Sequence, residues 1–274
     1  MKRILITGGA SGLGAELARQ YSGKGWTVCI ADIQQEVGES FVTELNAQFN
    51  NDCFFQPLDV TSEAQWHEAT QEIAKRWKGI DCLVNNAGVA SSGDIDQLSM
   101  KDFQWTMDIN VMGVVKGCYV FTPMLKKSKG TIINVASAAG LMHMPSMSAY
   151  NVSKAAVVAL SETLYAELDS AGVHVSVLCP AFFKTNLTDN MRATDKGGIA
   201  IASKLMERSK IQAADVARMT YEGAEKKNLY IVTHPKERMM WYMKRFLPSY
   251  YFSQMKKLGS VFSSKSKAKE KKAA

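Results

Sequence analysis

A chain of 274 residues suits one α/β domain, because a single core keeps growing to roughly 250–300 residues before it splits. Hydrophobic residues at 46% and charged residues at 22% exclude a disordered or fibrous chain over most of the length. The formal charge of +7 is unevenly placed: residues 235–274 carry eleven Lys/Arg against two Asp/Glu, a net +9, so the remainder nets −2 and a basic body shaped for nucleic acid is excluded.

The start, MKRILITGG, passes from two basic residues into an apolar run too short for a signal peptide or a membrane span. Short β-rich runs then recur as RILIT, TVCIAD, CFFQPLDV, GIDCLVNNAG, GTIINVAS, VHVSVLCP and LYIVT, which predicts seven strands. Between them lie stretches of helical spacing such as 13–23, 64–77 and 153–170. This alternation predicts a single α/β domain over 1–234, a Rossmann-like doubly wound parallel sheet of about seven strands with helices on both faces. Cys29, Cys53, Cys82, Cys118 and Cys179 are odd in number, widely spaced and mostly set among apolar neighbours, as buried thiols of a reducing compartment are. A cytoplasmic body is therefore expected. The four histidines stand at no metal-ligand spacing, so no metal site is expected.

After the first strand comes Thr7-Gly8-Gly9-Ala10-Ser11-Gly12-Leu13-Gly14, running straight into the helical pattern AELARQYSG. Glycines let the backbone turn sharply and approach a pyrophosphate, and the free amides and dipole of the following helix favour its charge. Gly8, Gly12 and Gly14 are the candidate positions. A glycine loop alone is weak, and a plain tight turn is its ordinary reading, but Asp32 ends the second strand 18 positions beyond Gly14, where a carboxylate can bind the adenosine ribose hydroxyls and repel a 2′-phosphate. No Arg or Lys stands in the loop or just after Asp32, so NAD is expected over NADP.

Two further segments, Asn85-Asn86-Ala87-Gly88 and Tyr150-Asn151-Val152-Ser153-Lys154, join the glycine loop in order. Together these motifs resemble the short-chain dehydrogenase/reductase family, over about residues 2–233. The resemblance implies that Asn110, Ser137, Tyr150 and Lys154 are its four catalytic residues. It also implies cofactor contacts from Ser11 and Leu13 beside the glycines, from Asp59 and Val60, from Asn86, Ala87 and Gly88, and from Pro180, Phe183 and Thr185 in a turn after the sixth strand, with Tyr150 and Lys154 reaching the cofactor too. One departure is Ala181, where the family usually has glycine after the proline.

The chemistry is also readable from the residues. Taking a proton from an alcohol needs a base, and a tyrosine with its pKa near ~10 is a poor one unless something lowers it. Lys154 lies four residues after Tyr150, so on a helix both share one face and the ammonium can stabilise a phenolate. Ser137, at the end of a strand, can hold the substrate oxygen beside the tyrosine. The family role of Asn110, keeping a helix open for a water relay, is implied by the resemblance alone. The expected activity is hydride transfer between NAD(H) and an alcohol or ketone; a non-catalytic NAD-sensing or scaffold role on the same fold, or an NADP-dependent carbonyl reductase, are the alternatives.

In relatives a lid follows the proline turn, here about 186–210, offering Leu187, Met191, Ile199, Ile201, Leu205 and Met206. Leu141, Met142, His143, Met144 and Met147 are candidates for the opposite wall. No Arg is placed to clamp an anionic group, so a small hydrophobic alcohol or ketone is the expected substrate. The resemblance implies a homodimer or homotetramer.

Residues 235–260 form a basic, aromatic, methionine-rich extension in which Met239, Met243, Phe246 and Tyr250 recur at helical spacing and Pro248 must break or kink the helix. Residues 261–274 are Lys-rich, low in complexity and expected to be disordered. Such a segment, 236–274, can lie on the inner face of an anionic membrane. Packing on the body, covering the substrate site or joining subunits are the alternatives the sequence leaves open.

Overall fold

The computed structural model describes residues 1–274 apart from 185, 186, 188–190, 195 and 274, with the backbone alone described at 196–199, 201, 202 and 261–273. The strands are β1 (Arg3–Thr7), β2 (Thr27–Asp32), β3 (Phe54–Pro57), β4 (Cys82–Asn85), β5 (Ser91–Ser92), β6 (Thr131–Val135), β7 (His174–Leu178), β8 (Arg192–Ala193) and β9 (Tyr230–Ile231). Seven of them form one parallel sheet in the order β3-β2-β1-β4-β6-β7-β9, and these are the seven runs expected from the sequence. The pair β5 and β8 stands apart as a small parallel ladder that two-residue runs could not announce.

The helices are α1 (Gly12–Ser22), α2 (Gln35–Phe49), α3 (Glu63–Trp77), α4 (Met100–Met107), α5 (Gly113–Ser128), α6 (Ser148–Leu168), α7 (Lys196–Glu207), α8 (Ala213–Glu225), α9 (Pro235–Phe246) and α10 (Pro248–Ala273). A strand covered on both faces must be apolar along its middle, and β1 obeys with Ile4, Leu5 and Ile6 fully buried. Ile4 and Ile6 join a core with Leu17 of α1, Leu45 of α2 and Val216 of α8. Leu5 faces the other core, with Trp66 of α3, Phe121 of α5 and Val157 of α6. Each fully buried Leu, Ile or Phe contributes about 1.5–3 kcal/mol relative to exposure.

Where β1 is flanked by β2 on one side and β4 on the other, successive crossovers run in opposite directions, which opens a crevice at the carboxyl ends of the strands. A polar chain ties the sheet beneath it: Asn85 Nδ2 donates to Asn134 Oδ1 at 2.8 Å, and Asn134 Nδ2 donates to Ser161 Oγ of α6 at 3.0 Å.

Past β9 the core does not stop at the boundary expected at 234. Pro235 opens α9, and Pro248, lacking an amide hydrogen, ends one helix and starts the next. Met240, Trp241, Met243 and Met255 pack against the core, and Tyr251 is fully buried. The helix α10 runs on through Ala273 and so includes 261–273, the stretch whose composition suggested disorder; its Ala and Lys are also good helix formers.

Candidate active site

The loop between β1 and α1 is built around two close approaches. Gly8 has φ +59°, and a Cβ there would stand 2.9 Å from the Ala87 Cα; a Cβ on Gly14 would stand 2.0 Å from the Gly8 carbonyl oxygen. Side chains at these positions would push apart the loop and the Asn86–Ala87 backbone and so distort the cradle that a pyrophosphate needs. Asn86 locks the arrangement, its Nδ2 donating to the carbonyls of Thr7 at 2.9 Å and Gly8 at 3.0 Å, while the Asn86 and Ala87 amides donate to Thr7 Oγ1. Ser11 stands at the N-cap of α1 with its side chain making no capping bond, so the first amides of that helix and its dipole remain available to an anion.

Asp32, buried at the end of β2, accepts from the Ala10 amide at 3.0 Å and the Gln34 amide at 3.1 Å, which fixes its carboxylate at the rim of the loop. Asp59 Oδ1 accepts from the amide and hydroxyl of Thr61, both at 2.8 Å, and so shapes the turn after β3.

The catalytic candidates meet at the ends of β6 and α6. Ser137 follows β6, where its hydroxyl accepts from the Ala139 amide at 3.1 Å. One turn separates Tyr150 from Lys154 on α6, and the Lys154 ammonium lies 5.8 Å from the Tyr150 ring centre. Lys154 Nζ donates to the Val135 carbonyl at 2.9 Å. Burial pushes the lysine down to about 8. It also pushes the Tyr150 phenol up, against the opposing pull of its hydrogen bond with Ser137. Burial thus sets the direction of the Tyr150 shift, with the Ser137 hydrogen bond opposing it.

Asn110 sits behind this group, fully buried in a π-helical turn, Asp108–Met112, between α4 and α5. Its Oδ1 accepts from the Val89 amide at 2.8 Å, and its Nδ2 donates to the Val89 carbonyl at 2.9 Å and Ser153 Oγ at 3.0 Å. The widened turn turns this side chain toward α6. Gly88 leaves the space, since a Cβ there would come within 3.1 Å of Asn110 Oδ1 and 3.4 Å of Lys154 Nζ.

These groups line a single cleft of about 290 Å³ along the carboxyl ends of the strands. Gly8, Ser11, Gly12, Leu13, Asp32, Asp59, Val60, Asn86, Ala87, Gly88, Ser137, Tyr150, Lys154, Pro180 and Phe183 all border it. Gly14 and Asn110 do not: the first packs beneath Gly8 and the second acts from behind Gly88. Thr185 lies outside the described residues. The sequence reading missed Ile33, which stands 73% exposed at the rim beside Asp32, and Val89 and Ile109 deeper in. An isoleucine inside the polar turn DIQQE was the available signal for the first.

Residues 2–196 match the family model described as short chain dehydrogenase. A trans-4-hydroxycyclohexanecarboxylate dehydrogenase of Sinomonas cyclohexanicum is 31% identical over 196 residues, covering 70% of this chain and 76% of that protein. The chain belongs to the short-chain dehydrogenase family. A 3-alpha-(or 20-beta)-hydroxysteroid dehydrogenase of Mycobacterium bovis is 34% identical over 189 residues, 69% of this chain and 71% of the relative. Among solved structures, a short-chain dehydrogenase/reductase from Burkholderia phymatum in complex with NAD superposes with a TM-score of 0.85 at 32% identity, covering 89% of this chain and 92% of that one.

The substrate side of this short-chain dehydrogenase differs in part from expectation. Leu187 and Met206 border the cleft, but Leu205 is exposed, and the side chains of Ile199 and Ile201 lie outside the described residues. Met191 is half-buried away from the cleft. Leu141 and Met142 are not wall residues. They are buried in the same core against which Met240, Trp241 and Met243 of α9 pack. His143, Met144 and Met147 likewise do not border the cleft. Arg192 is engaged away from it, 2.8 Å from Asp102 and stacked 3.9 Å from the Trp105 ring centre. His234, also missed, holds the proline turn: its Nδ1 accepts from the Ala181 amide at 3.2 Å. Its place directly after the last strand, beside the sixth strand's turn, gave no signal by residue type alone.

Among the described residues no group of three or more His, Cys, Asp or Glu could hold a metal ion, and all five cysteines are buried free thiols.

Proposed function

We propose that this short-chain dehydrogenase is an NAD(H)-linked oxidoreductase acting on the CH–OH or C=O group of a small, predominantly apolar alcohol or ketone. The observation that carries the cofactor reading is Asp32, fixed by two amide hydrogen bonds at the cleft rim with no Arg among the described residues that border the cleft. A carboxylate there favours two ribose hydroxyls and opposes a 2′-phosphate. The NAD complex of the Burkholderia phymatum relative agrees with this choice.

Gly8, Ser11, Gly12 and Leu13 would hold the pyrophosphate, Asp32, Asp59 and Val60 the adenosine end, and Asn86 to Gly88, Pro180, Phe183 and Thr185 the nicotinamide end. When bound, the nicotinamide supplies or accepts the hydride. Tyr150 moves the proton at the substrate oxygen, giving it to the developing alkoxide in reduction and taking it back in oxidation. Ser137 donates to the same oxygen and orients it. Lys154 would hold the nicotinamide ribose and adds positive charge near the phenol, and Asn110 holds the backbone at Val89, the residue after the Gly88 that lies beside the lysine. Leu187, Met206 and Phe183 make the substrate end apolar, in keeping with the cyclic alcohols in the names of the two curated relatives. A cytoplasmic body fits the five buried free thiols, and a homo-oligomer is in keeping with the family.

The test titrates NADH and NADPH by cofactor fluorescence and assays Tyr150→Phe against apolar secondary alcohols and cyclic ketones. NADH should bind at least about tenfold more tightly than NADPH, a difference of about 1.4 kcal/mol. Tyr150→Phe should keep NADH binding and lose about a thousandfold or more in kcat. Preference for NADPH would overturn the assignment of Asp32, and undiminished turnover in the variant would overturn that of Tyr150.

A further inference from the structure

The outer face of the α9–α10 pair has no role in the site described above. Met239 and Phe246 are 67% and 73% exposed, and Tyr242, Leu247, Tyr250 and Phe252 are exposed beside them. The rings are continuous: Trp241 stacks on Tyr242 at 5.5 Å, and Tyr242 meets Phe246 at 6.5 Å. Single exposed apolar side chains are ordinary, but six within fourteen consecutive residues, across two touching helices, form a patch. The exposed cations Lys236, Arg238, Arg245, Lys256 and Lys257 edge it, with Glu237 as the sole acid of that stretch.

We infer that this face docks the enzyme on an anionic lipid bilayer. Aromatic and methionine side chains with low mean hydropathy and a cationic edge are the composition of an interfacial helix, and tyrosine is at home at the headgroup level. Charge selects the partner. Residues 235–274 net +9 while the rest of the chain nets −2, so a symmetric contact between two copies through this face would bring like charges together, whereas acidic headgroups complement them. Among the described residues no helix is long and apolar enough to cross a membrane, so the attachment is peripheral.

The docking helices are held to the catalytic body. The inner face of the same helices touches the loop between β6 and α6, where Lys244 Nζ donates to the Leu141 carbonyl at 2.7 Å and lies 3.0 Å from His143 Nε2. That loop leads from Ser137 to Tyr150, so the docking helices are tied directly to the catalytic elements.

The test is co-sedimentation of the full-length enzyme with phosphatidylcholine vesicles and with vesicles containing about 30% phosphatidylglycerol. Wild type should partition at least tenfold more strongly onto the anionic vesicles, and high salt should reverse it. Phe246→Ser, Leu247→Ser and Tyr250→Ser combined should weaken partitioning at least tenfold, and Lys256→Gln with Lys257→Gln about fivefold per charge. These side chains are exposed, so thermal melting of the variants, unchanged within a few degrees, controls for folding. Absence of sedimentation, or equal sedimentation of the serine variant, overturns the inference. So does an oligomer that the serine variant dissociates without any lipid binding, which would make the face a contact between copies.

Discussion

Lys154 is a buried ammonium held by one backbone carbonyl, and that placement makes its charge labile. Burial lowers its pKa from 10.5 to about 8, so in the free protein the charge is present below about pH 8 and is lost as pH rises through that value. Tyr150 moves the other way and keeps its proton over the same range. The pH profile of kcat/KM for the cofactor, which reports free-enzyme groups, is therefore expected to be level below about 8 and to fall above it, up to tenfold per pH unit. Lys154→Met should lower the plateau and abolish the limb. A wild-type profile level to pH 10 would remove the lysine charge from cofactor capture. The four-residue spacing of Tyr150 and Lys154 was legible from the sequence, but the sign of the tyrosine shift was not. Spacing along a helix fixes which groups share a face and says nothing of how deeply that face is buried.

At the scale of elements, the glycine loop is a joint between β1, α1 and β4. A Cβ at Gly14 would meet the Gly8 carbonyl at 2.0 Å and Asn86 Nδ2 at 2.8 Å, and neither can withdraw without breaking the bonds that Asn86 makes to Thr7 and Gly8. Gly14→Ala is expected to cost about 3 kcal/mol, a fall of about 5–10 °C in Tm, and to weaken NADH binding by an order of magnitude, as measured by thermal melting and fluorescence titration. An unchanged melt would mean that the loop relaxes freely.

The same joint shows why the strands were readable and the smaller parts were not. The strands of a doubly covered parallel sheet are continuous apolar runs, so RILIT and TVCIAD announce themselves. The β5–β8 ladder and the π turn at Asp108–Met112 depend on tertiary partners: Gly93 donates to the Ser146 carbonyl, and Asn110 is held by Val89 and Ser153. No local pattern encodes them. Gly14 and Asn110, both attributed to the site from motif position, act one step behind the cleft, since a motif records which residues are required and not which of them touch the ligand.

For the whole molecule, the decisive question is whether 235–260 is an appendage or part of the fold. Its charge and its aromatic residues set it apart in sequence, yet the sheet ends at Ile231 and the core does not. Trp241 packs on Tyr230 at 4.8 Å, Tyr251 is fully buried, and Met240, Met243 and Met255 pack against the core that includes Leu141 and Met142. Removing everything after His234 would uncover that layer together with Val232, and losing several large side chains from one core costs several kcal/mol. The truncated enzyme is expected to melt at least about 10 °C lower than wild type, or to aggregate on expression. A chain ending at Ser260 keeps every described side chain of the extension that packs on the core and should melt within about 2 °C of wild type in a single transition. If the chain ending at His234 instead melts with the full enzyme, the inner faces of α9 and α10 contribute little to stability and the extension is separable in energy as well as in composition. A single cooperative transition would instead mean that the basic, aromatic surface is carried rigidly by the catalytic body, with its orientation to the cleft fixed by the same side chains that complete the core.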